Sequence, residues 1–275
     1  MAAVLWLNGR FCRPETASVS IFDRGFMFGD GVYEVIPVRG GRPFHLEAHL
    51  VRLEASLKAT RIKSTHSRDE WRALITDVLA KSEELHAQIY LQITRGVAPY
   101  RSHDVAAMTP TELLMVQPVS TEVLDPLSLS VCEDYRWLRG DIKSTSLIAA
   151  TLLRIQAREQ GAMDALMHRD GVVTECTSSN IFAVFGDSVV TPPADQQILH
   201  GITRSEVLQL RGLPVTMVER TLTLPELMTA DEVFVTSSNQ AVRPVESIDD
   251  QSFSTTGSFT AQIAAALEAR MGMDS

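Results

Sequence analysis

Lysine is scarce in this 275-residue chain. Four of its 25 basic residues are lysines, and they stand at Lys58, Lys63, Lys81 and Lys143. A reaction that needs a lysine amine from the segment beyond residue 82 could use only Lys143. A general preference for arginine would produce the same scarcity, so composition alone does not decide the matter.

Cysteine and basic charge are also limited. The three cysteines are odd in number and form no Cys-x-x-Cys pair, which argues against a disulfide framework or a zinc site. The seven histidines show no metal-ligand spacing, so no metal is expected. The net charge of −9 and the pI near 5.3 argue against nucleic acid or an acidic membrane as the main partner.

Long apolar runs and several familiar motifs are missing. The apolar patch in MAAVLWLNGRF is too short for a signal peptide, and no run approaches the roughly 20 residues of a membrane helix. The chain has no Walker loop, dinucleotide fingerprint, Gly-x-Ser-x-Gly elbow or His-Glu-x-x-His helix. We expect a soluble cytoplasmic protein.

The chain does contain strands and helices in irregular alternation, which favours an α+β or mixed α/β fold. Strands are predicted at 4–7, 32–38, 87–95, 112–117, 127–133, 163–168, 180–185, 188–191, 214–218, 232–236 and 242–247. Helices are predicted at 46–60, 69–82 (after a Ser67–Glu70 capping box), 146–160, from about 203 and from about 258.

The polar, proline-bearing segment QPVSTEVLDP predicts a linker at 119–126. It would join an N-terminal α/β domain, 1–118, to a C-terminal α/β domain, 127–275. Lys143 would then belong to the C-terminal domain.

Two separate residues suggest Schiff-base chemistry. Lys143 lies between a predicted strand and a predicted helix, where functional side chains often reach into a cleft. Glu175 ends a predicted strand and precedes a run of hydroxyls that includes Ser179. Beside a Schiff-base lysine, such a carboxylate would keep the pyridine nitrogen of pyridoxal phosphate protonated. Taken singly, Lys143 also fits a solvated loop lysine, and Glu175 also fits a solvated strand-end acid.

Two further segments could bind an anion. Gly201, Ile202 and Thr203 open a predicted helix with Thr203 as its cap, and free amides at a helix start bind phosphate. Ser237 and Ser238 follow another predicted strand. Ordinary capping and turn chemistry explains both segments as well.

Arg52 lies in the predicted helix 46–60, where its guanidinium could pair with a phosphate. The alternative is a surface arginine beside Glu47 or Glu54.

A carboxylate could be held by Arg101 and His103, which stand two apart on a predicted loop, with Tyr33 adding a hydroxyl. A solvated loop and a packed aromatic are the alternatives. The segment 23–31, DRGFMFGDG, has three glycines that allow unusual backbone angles or close approach, but it matches no known phosphate loop.

Together these segments resemble the class IV, fold type IV pyridoxal-phosphate aminotransferases, and most of all the D-amino acid transaminases. The matching segments span nearly the whole chain: DRGFMFGDGVYEV (23–35), TRG with a downstream RSH (94–103), EDYRWLRGDIKS (133–144), VTECTSSNIF (173–182), ILHGITR (198–204) and DEVFVTSSN (231–239). Several motifs in one order are far more specific than any single motif. The strand motif Val-Tyr-Glu-Val is the D-amino acid pattern.

The resemblance implies a two-domain subunit that binds pyridoxal 5′-phosphate. Lys143 would carry the Schiff base and move the proton, and Glu175 would pair with the pyridine nitrogen. The remaining cofactor contacts would come from Arg52, Ile202, Thr203 and Ser238 at the phosphate, with Ser179 and Ser237 near the cofactor.

The resemblance also implies that Tyr33, Arg101 and His103 bind the substrate carboxylate. The Arg-x-His loop would reach in from the neighbouring subunit, which makes a homodimer necessary for the site.

The implied reaction moves an amino group between a D-amino acid, such as D-alanine or D-glutamate, and a 2-oxo acid, such as 2-oxoglutarate or pyruvate. Two other reactions of the same fold remain open, the lysis of aminodeoxychorismate and the transamination of branched-chain L-amino acids. A non-catalytic anion-binding protein is the alternative from another class.

Overall fold

The computed structural model describes residues 4–105, 107–120, 122 and 124–273. These residues form two compact units. The first consists of the described residues up to 120 and of segment 142–147. The second consists of the described residues within 122–141 and 148–273. Positions 121 and 123 of the predicted linker lie outside the described residues.

The first unit is built on one antiparallel sheet. Its elements are β1 (Val4–Leu7), β2 (Arg10–Cys12), a 3-10 helix (Pro14–Thr16), α1 (Arg24–Phe28), β3 (Gly31–Arg39), β4 (Arg42–Pro43), α2 (Leu46–Thr60), α3 (Arg68–Ser82), β5 (Ala87–Thr94) and β6 (Thr111–Pro118). The strand order is β2-β1-β6-β5-β3-β4.

One face of this sheet carries the core. Ile89, Leu91 and Ile93 alternate along β5 with half-buried polar and aromatic residues, so their side chains all point to one face. They share a cluster with Leu53 of α2 and Ile75 of α3. The two helices therefore cover that face, and α2 contacts β3 directly.

The second unit holds a mixed sheet of nine strands. Its elements are β7 (Leu127–Glu133), α4 (Ile148–Glu159), β8 (Asp164–Arg169), β9 (Val172–Cys176), β10 (Asn180–Phe185), β11 (Ser188–Thr191), α5 (Ile202–Leu208), β12 (Thr216–Glu219), α6 (Leu224–Leu227), β13 (Glu232–Ser237), β14 (Ala241–Ile248), β15 (Gln251–Ser252) and α7 (Ser258–Met273). The main order is β12-β11-β10-β13-β14-β7-β8-β9, with β15 on β14. The fold is thus mixed α/β, as predicted.

Most local predictions are confirmed. The helix at 46–60 and the strand at 127–133 have the predicted bounds, and the Ser67–Glu70 capping box is present. The prediction that Thr203 caps a helix is wrong. Gly201 is the N-cap of α5 and Thr203 lies inside the first turn, because the extended backbone ends at the glycine.

Helix α1 was not predicted. Asp23 caps it by accepting a hydrogen bond from the Gly25 N–H, and Gly29 ends it in the left-handed conformation. A helix of five residues is too short to show a 3.6-residue pattern, so the sequence signal was only glycine content.

Segment 142–147, which the sequence assigned to the C-terminal domain, packs with the first unit. Ile142 belongs to the core cluster of that unit. The Tyr33 N–H donates to the Lys143 carbonyl oxygen at 2.9 Å, and Ser144 forms a bridge with Val32. The segment therefore lies along β3 as a short extension of the first sheet.

Candidate active site

Lys143 is held at both its backbone and its side chain. Its carbonyl accepts from Tyr33, and its own N–H donates to the Ser56 hydroxyl at 3.3 Å. The Lys143 Nζ lies 4.4 Å from the centre of the Tyr33 ring. The structure thus brings together the predicted Schiff-base lysine and one predicted carboxylate ligand.

The buried face of α2 carries a polar cluster. His49, Arg52 and Ser56 recur at helical spacing and are all buried. Arg52 donates from Nε and Nη2 to the two carboxylate oxygens of Glu34, at 2.8 and 2.7 Å. His49 Nδ1 lies 2.8 Å from Glu34 Oε2. Glu34 on β3 therefore pairs with both Arg52 and His49.

The surface alternative for Arg52 is wrong. Arg52 is only 9% exposed. The two acids proposed as its surface partners are engaged elsewhere, Glu47 with Arg72 and Glu54 with Arg68. The helical twist turns Arg52 inward toward the strand while those two acids face outward.

Burial and the neighbouring charges shift the pKa values of Glu34 and His49 in this cluster. Burial raises the pKa of Glu34, but Arg52 and His49 outweigh it and lower that pKa to about 2. Burial lowers the pKa of His49, and the charges of Arg52 and Lys143 lower it further against the opposing Glu34. The cluster therefore holds an ionised carboxylate, a guanidinium and a neutral imidazole near neutral pH.

Sequence reasoning missed Glu34 and His49. A signal was present for the first, because Glu34 falls on the same strand face as Val32 and Ile36, both buried. A carboxylate at a buried strand position must find a charged or hydrogen-bonding partner. The partner itself, on a later helix, could not be read from the strand.

Arg101 and His103 are exposed and lie against one aromatic ring. The Arg101 Cζ is 5.1 Å from the centre of the Phe28 ring. The ring of His103 is 5.4 Å from the same ring, centre to centre. The structure thus brings these two predicted residues together on one side chain of α1.

In the second unit, Glu175 is a buried carboxylate rather than a solvated strand-end acid. It accepts hydrogen bonds from Arg136 Nη1 at 2.9 Å, from Asn180 Nδ2 at 3.1 Å and from the Leu199 N–H at 3.2 Å. Burial raises its pKa to about 7, although Arg136 and the Leu199 N–H oppose the shift. A further positive charge beside Glu175 would favour its ionised form.

Arg136 and Asn180 are the residues that sequence reasoning missed here. Arg136 donates to both oxygens of Asp134 at 2.9 Å as well as to Glu175. Burial lowers the pKa of Arg136, but Asp134 and Glu175 outweigh it and raise that pKa further above its ordinary value. The sequence shows the spacing Asp134-x-Arg136, but it does not show that Arg136 contacts Glu175, which lies on β9.

The start of α5 is tied to the same carboxylate. Asn180 donates to the Leu199 carbonyl oxygen at 3.0 Å as well as to Glu175. A Cβ at Gly201 would collide with the Asn180 side chain. The chain therefore needs glycine at 201 for the first turn, with Ile202 and Thr203 buried in it, to approach this closely.

The predicted hydroxyl donors share one edge of the second sheet. Asn180 on β10 pairs with Thr236 on β13, which places Ser179 and Ser237 at the same end of the two antiparallel strands. Ser238 follows at the end of β13. The Thr236 hydroxyl is buried, and its oxygen has no hydrogen-bond partner among the described residues. An unsatisfied hydroxyl at this edge suits a polar ligand.

Each unit, taken by itself, carries groups of the kinds that pyridoxal phosphate binds. The first unit supplies an amine at Lys143 and a fixed guanidinium at Arg52. The second supplies a buried carboxylate at Glu175, a helix start at Gly201 and hydroxyls. An aldehyde, a pyridine nitrogen and a phosphate require these kinds of partner.

The family model for amino-transferase class IV matches residues 31–248. The chain belongs to this family. A D-alanine aminotransferase of Bacillus licheniformis is 39% identical over 250 residues, covering 89% of this chain and 88% of that protein. A D-alanine aminotransferase of Listeria monocytogenes is 36% identical over 262 residues, covering 88% of this chain and 86% of that protein.

Solved structures of branched-chain aminotransferases share this fold. A branched-chain aminotransferase from Thermoproteus uzoniensis has a TM-score of 0.89 and 26% identity, covering 98% of this chain and 95% of the other. The Escherichia coli branched-chain enzyme has a TM-score of 0.90 and 25% identity, covering 98% and 94%. The fold is therefore that of the fold type IV aminotransferases. Across the described residues, every helix is too short or too polar to cross a membrane.

Proposed function

We propose that this class IV aminotransferase uses pyridoxal 5′-phosphate to move an amino group between a D-amino acid and a 2-oxo acid. The observation that carries the proposal is that this chain has higher sequence identity to D-alanine aminotransferases than to the branched-chain enzymes. Relatives named D-alanine aminotransferase reach 39% identity over most of the chain, whereas the branched-chain enzymes share the fold at 25 and 26%. D-Alanine or D-glutamate with 2-oxoglutarate or pyruvate are the substrates we propose.

In this proposal, Lys143, Glu175 and Arg136 each have a defined role. When bound, pyridoxal phosphate draws electrons from the substrate and so acidifies its α-C–H bond. Lys143 would hold the cofactor through its aldehyde group, and its Nζ, once free as an amine, would carry the proton at the α-carbon as general base and then acid. The carboxylate of Glu175 holds the proton on the pyridine nitrogen, and Arg136 keeps that carboxylate oriented.

Phosphate binding falls to Arg52 and Ser238 and to the first turn of α5, Ile202 and Thr203, with Ser179 and Ser237 near the cofactor. Glu34 supports this assignment, because its two hydrogen bonds fix the plane of the Arg52 guanidinium.

Substrate binding falls to Tyr33, Arg101 and His103, whose donors suit the α-carboxylate. The proposal includes a homodimer in which the loop carrying Arg101 and His103 serves the neighbouring subunit. It also includes a cytoplasmic location.

The reaction is tested by mixing the protein with D-alanine and 2-oxoglutarate. We expect pyruvate and D-glutamate, measured by chiral chromatography. Turnover of L-isoleucine or aminodeoxychorismate without any D-amino acid product would identify one of the alternative reactions of the fold. A colourless protein that takes up no pyridoxal phosphate would favour the anion-binding alternative.

The lysine is tested by borohydride reduction of the cofactor-loaded protein, followed by peptide mapping. We expect the label on Lys143 and its loss in Lys143→Ala. Lys81→Ala is a matched control, because Lys81 is an exposed helix residue paired with Asp77. A label on Lys58, Lys63 or Lys81 would refute the assignment.

A further inference from the structure

Phe28 lies at the centre of a group of charged and ionisable side chains. It is the last residue of α1, in the glycine-rich segment for which the sequence suggested no role. Its ring centre is 4.7 Å from Arg24 Cζ and 5.1 Å from Arg101 Cζ, and the His103 ring lies 5.4 Å away at 44°. Cations within about 6 Å of an aromatic ring are attracted to its face.

The backbone of the loop is anchored to the same helix. Arg24 donates from Nη1 to the Ser102 carbonyl at 2.7 Å and from Nε to Asp30 at 2.8 Å. Asp30 also accepts two hydrogen bonds from Arg95, at 2.8 and 2.9 Å. Arg95 precedes the loop and Ser102 lies within it, so the glycine-rich segment holds the loop at two points.

The segment is joined to the lysine segment on its other side. The Gly29 carbonyl accepts from the hydroxyls of Thr145 and Ser146, each at 2.9 Å. The Thr145 N–H donates to the Gly31 carbonyl at 3.0 Å. Gly29 has φ +63 and a Cβ there would meet Ser146, so glycine is required. One short segment therefore connects the loop of Arg101 to the segment of Lys143.

We propose that Phe28 is a positioning residue that sets the direction of Arg101 and His103 and thereby the affinity for carboxylate substrates. The inference rests on the proposed function, in which these two side chains bind the substrate carboxylate. An exposed arginine otherwise samples many rotamers, and ordering it costs free energy on binding. A ring fixed in place removes part of that cost before the substrate arrives.

The test compares Phe28→Leu with Phe28→Tyr. Leucine keeps an apolar side chain without an aromatic face, whereas tyrosine keeps the face. For Phe28→Leu we expect KM for D-alanine and for 2-oxoglutarate to rise about two- to fivefold, the size of one exposed cation–π contact, with little change in kcat. Phe28→Tyr should restore the wild-type KM.

Phe11→Leu is the matched control. The Phe11 ring lies 5.0 Å from Lys81 Nζ, on a strand and helix away from the loop. Its substitution removes the same kind of contact and should leave KM unchanged. Equal KM values in Phe28→Leu and Phe11→Leu would overturn the proposal. So would a Phe28→Tyr variant as impaired as Phe28→Leu, or a fall in kcat with KM unchanged.

A second measurement needs no turnover. Phenylglyoxal modifies exposed arginines, and its rate at Arg101 can be followed by peptide mass. We expect faster modification of Arg101 in Phe28→Leu than in the wild type or Phe28→Tyr, because the Phe28 ring lies 5.1 Å from the Arg101 Cζ and hinders access to it. An unchanged rate would overturn the positioning role. A wild-type protein inactive on D-alanine, with the rate at Arg101 still dependent on the ring, would instead refute the proposed function.

Discussion

Glu34 holds Arg52 through two hydrogen bonds, one to each carboxylate oxygen. The pair joins β3 to α2, and His49, on the preceding turn of the helix, is a second partner of Glu34. Paired guanidinium–carboxylate hydrogen bonds restrict orientation as well as distance. In the proposed enzyme, Glu34 on its strand fixes the direction of the Arg52 side chain, which binds the phosphate.

Glu34→Gln should destabilise the protein near neutral pH by about 3 kcal/mol, the free energy that corresponds to lowering a pKa from 4.5 to about 2. Because the pKa of Glu34 is lower in the folded protein than in the unfolded chain, its ionised carboxylate stabilises the folded state at pH values above the unfolded-state pKa. That stabilisation is lost as the pH falls toward the folded-state pKa. The difference between wild type and variant should therefore narrow as the pH falls from about 4.5 toward 2. Urea unfolding followed by circular dichroism at several pH values measures it.

Glu54→Gln is the control for that experiment. Glu54 pairs with Arg68 on the surface, and exposed pairs contribute about 0–1 kcal/mol. A loss within about 1 kcal/mol is expected there near neutral pH. An equally small loss in Glu34→Gln, or a loss that does not narrow as the pH falls, would contradict the role of the Glu34 charge.

Glu175→Gln should leave the borohydride label on Lys143 but lower turnover by at least about tenfold, equivalent to 1.4 kcal/mol in the barrier. The reason is that a neutral amide does not hold a proton on the pyridine nitrogen. Peptide mapping and the D-alanine assay together measure the two effects. Glu226→Gln, which alters a more exposed pair with Arg220, should change neither result. Full turnover in Glu175→Gln would remove Glu175 from the proposed machinery.

Gly201→Ala should destabilise the second unit by about 1–3 kcal/mol, because its Cβ would collide with Asn180. The double variant with Asn180→Ala relieves the collision, so its loss should be smaller than the sum of the two single losses. Thermal or urea unfolding of the four proteins gives the coupling. Simple additivity would show that the side chain of Asn180 moves aside at no cost.

Local periodicity explains which elements could be predicted. Strand β5 alternates apolar and polar residues, and α2 repeats leucines at helical spacing, so both reveal their type and their buried face within one segment. Helices α1 and α6 are single turns of five and four residues, and no period can appear in so few positions.

The candidate site divides in the same way. Lys143 and Glu175 could be named because a scarce lysine and a strand-end acid are properties of single positions and of the motifs around them. The residues that contact the site's charged groups could not be predicted from the sequence. The partner of Glu34 lies 18 residues away on a helix, and that of Glu175 lies 39 residues away beyond another strand.

The amino-acid sequence by itself therefore determined the type of the longer elements, the family resemblance and the single lysine available to the C-terminal half. Only the tertiary structure decided that Lys143 packs with the first unit, that Arg52 faces inward to Glu34, and that Phe28 meets Arg101 and His103. The physical reason is that backbone propensity and periodicity act over one or two turns. Hydrogen bonds and ring contacts instead form between segments that only folding brings within a few ångströms.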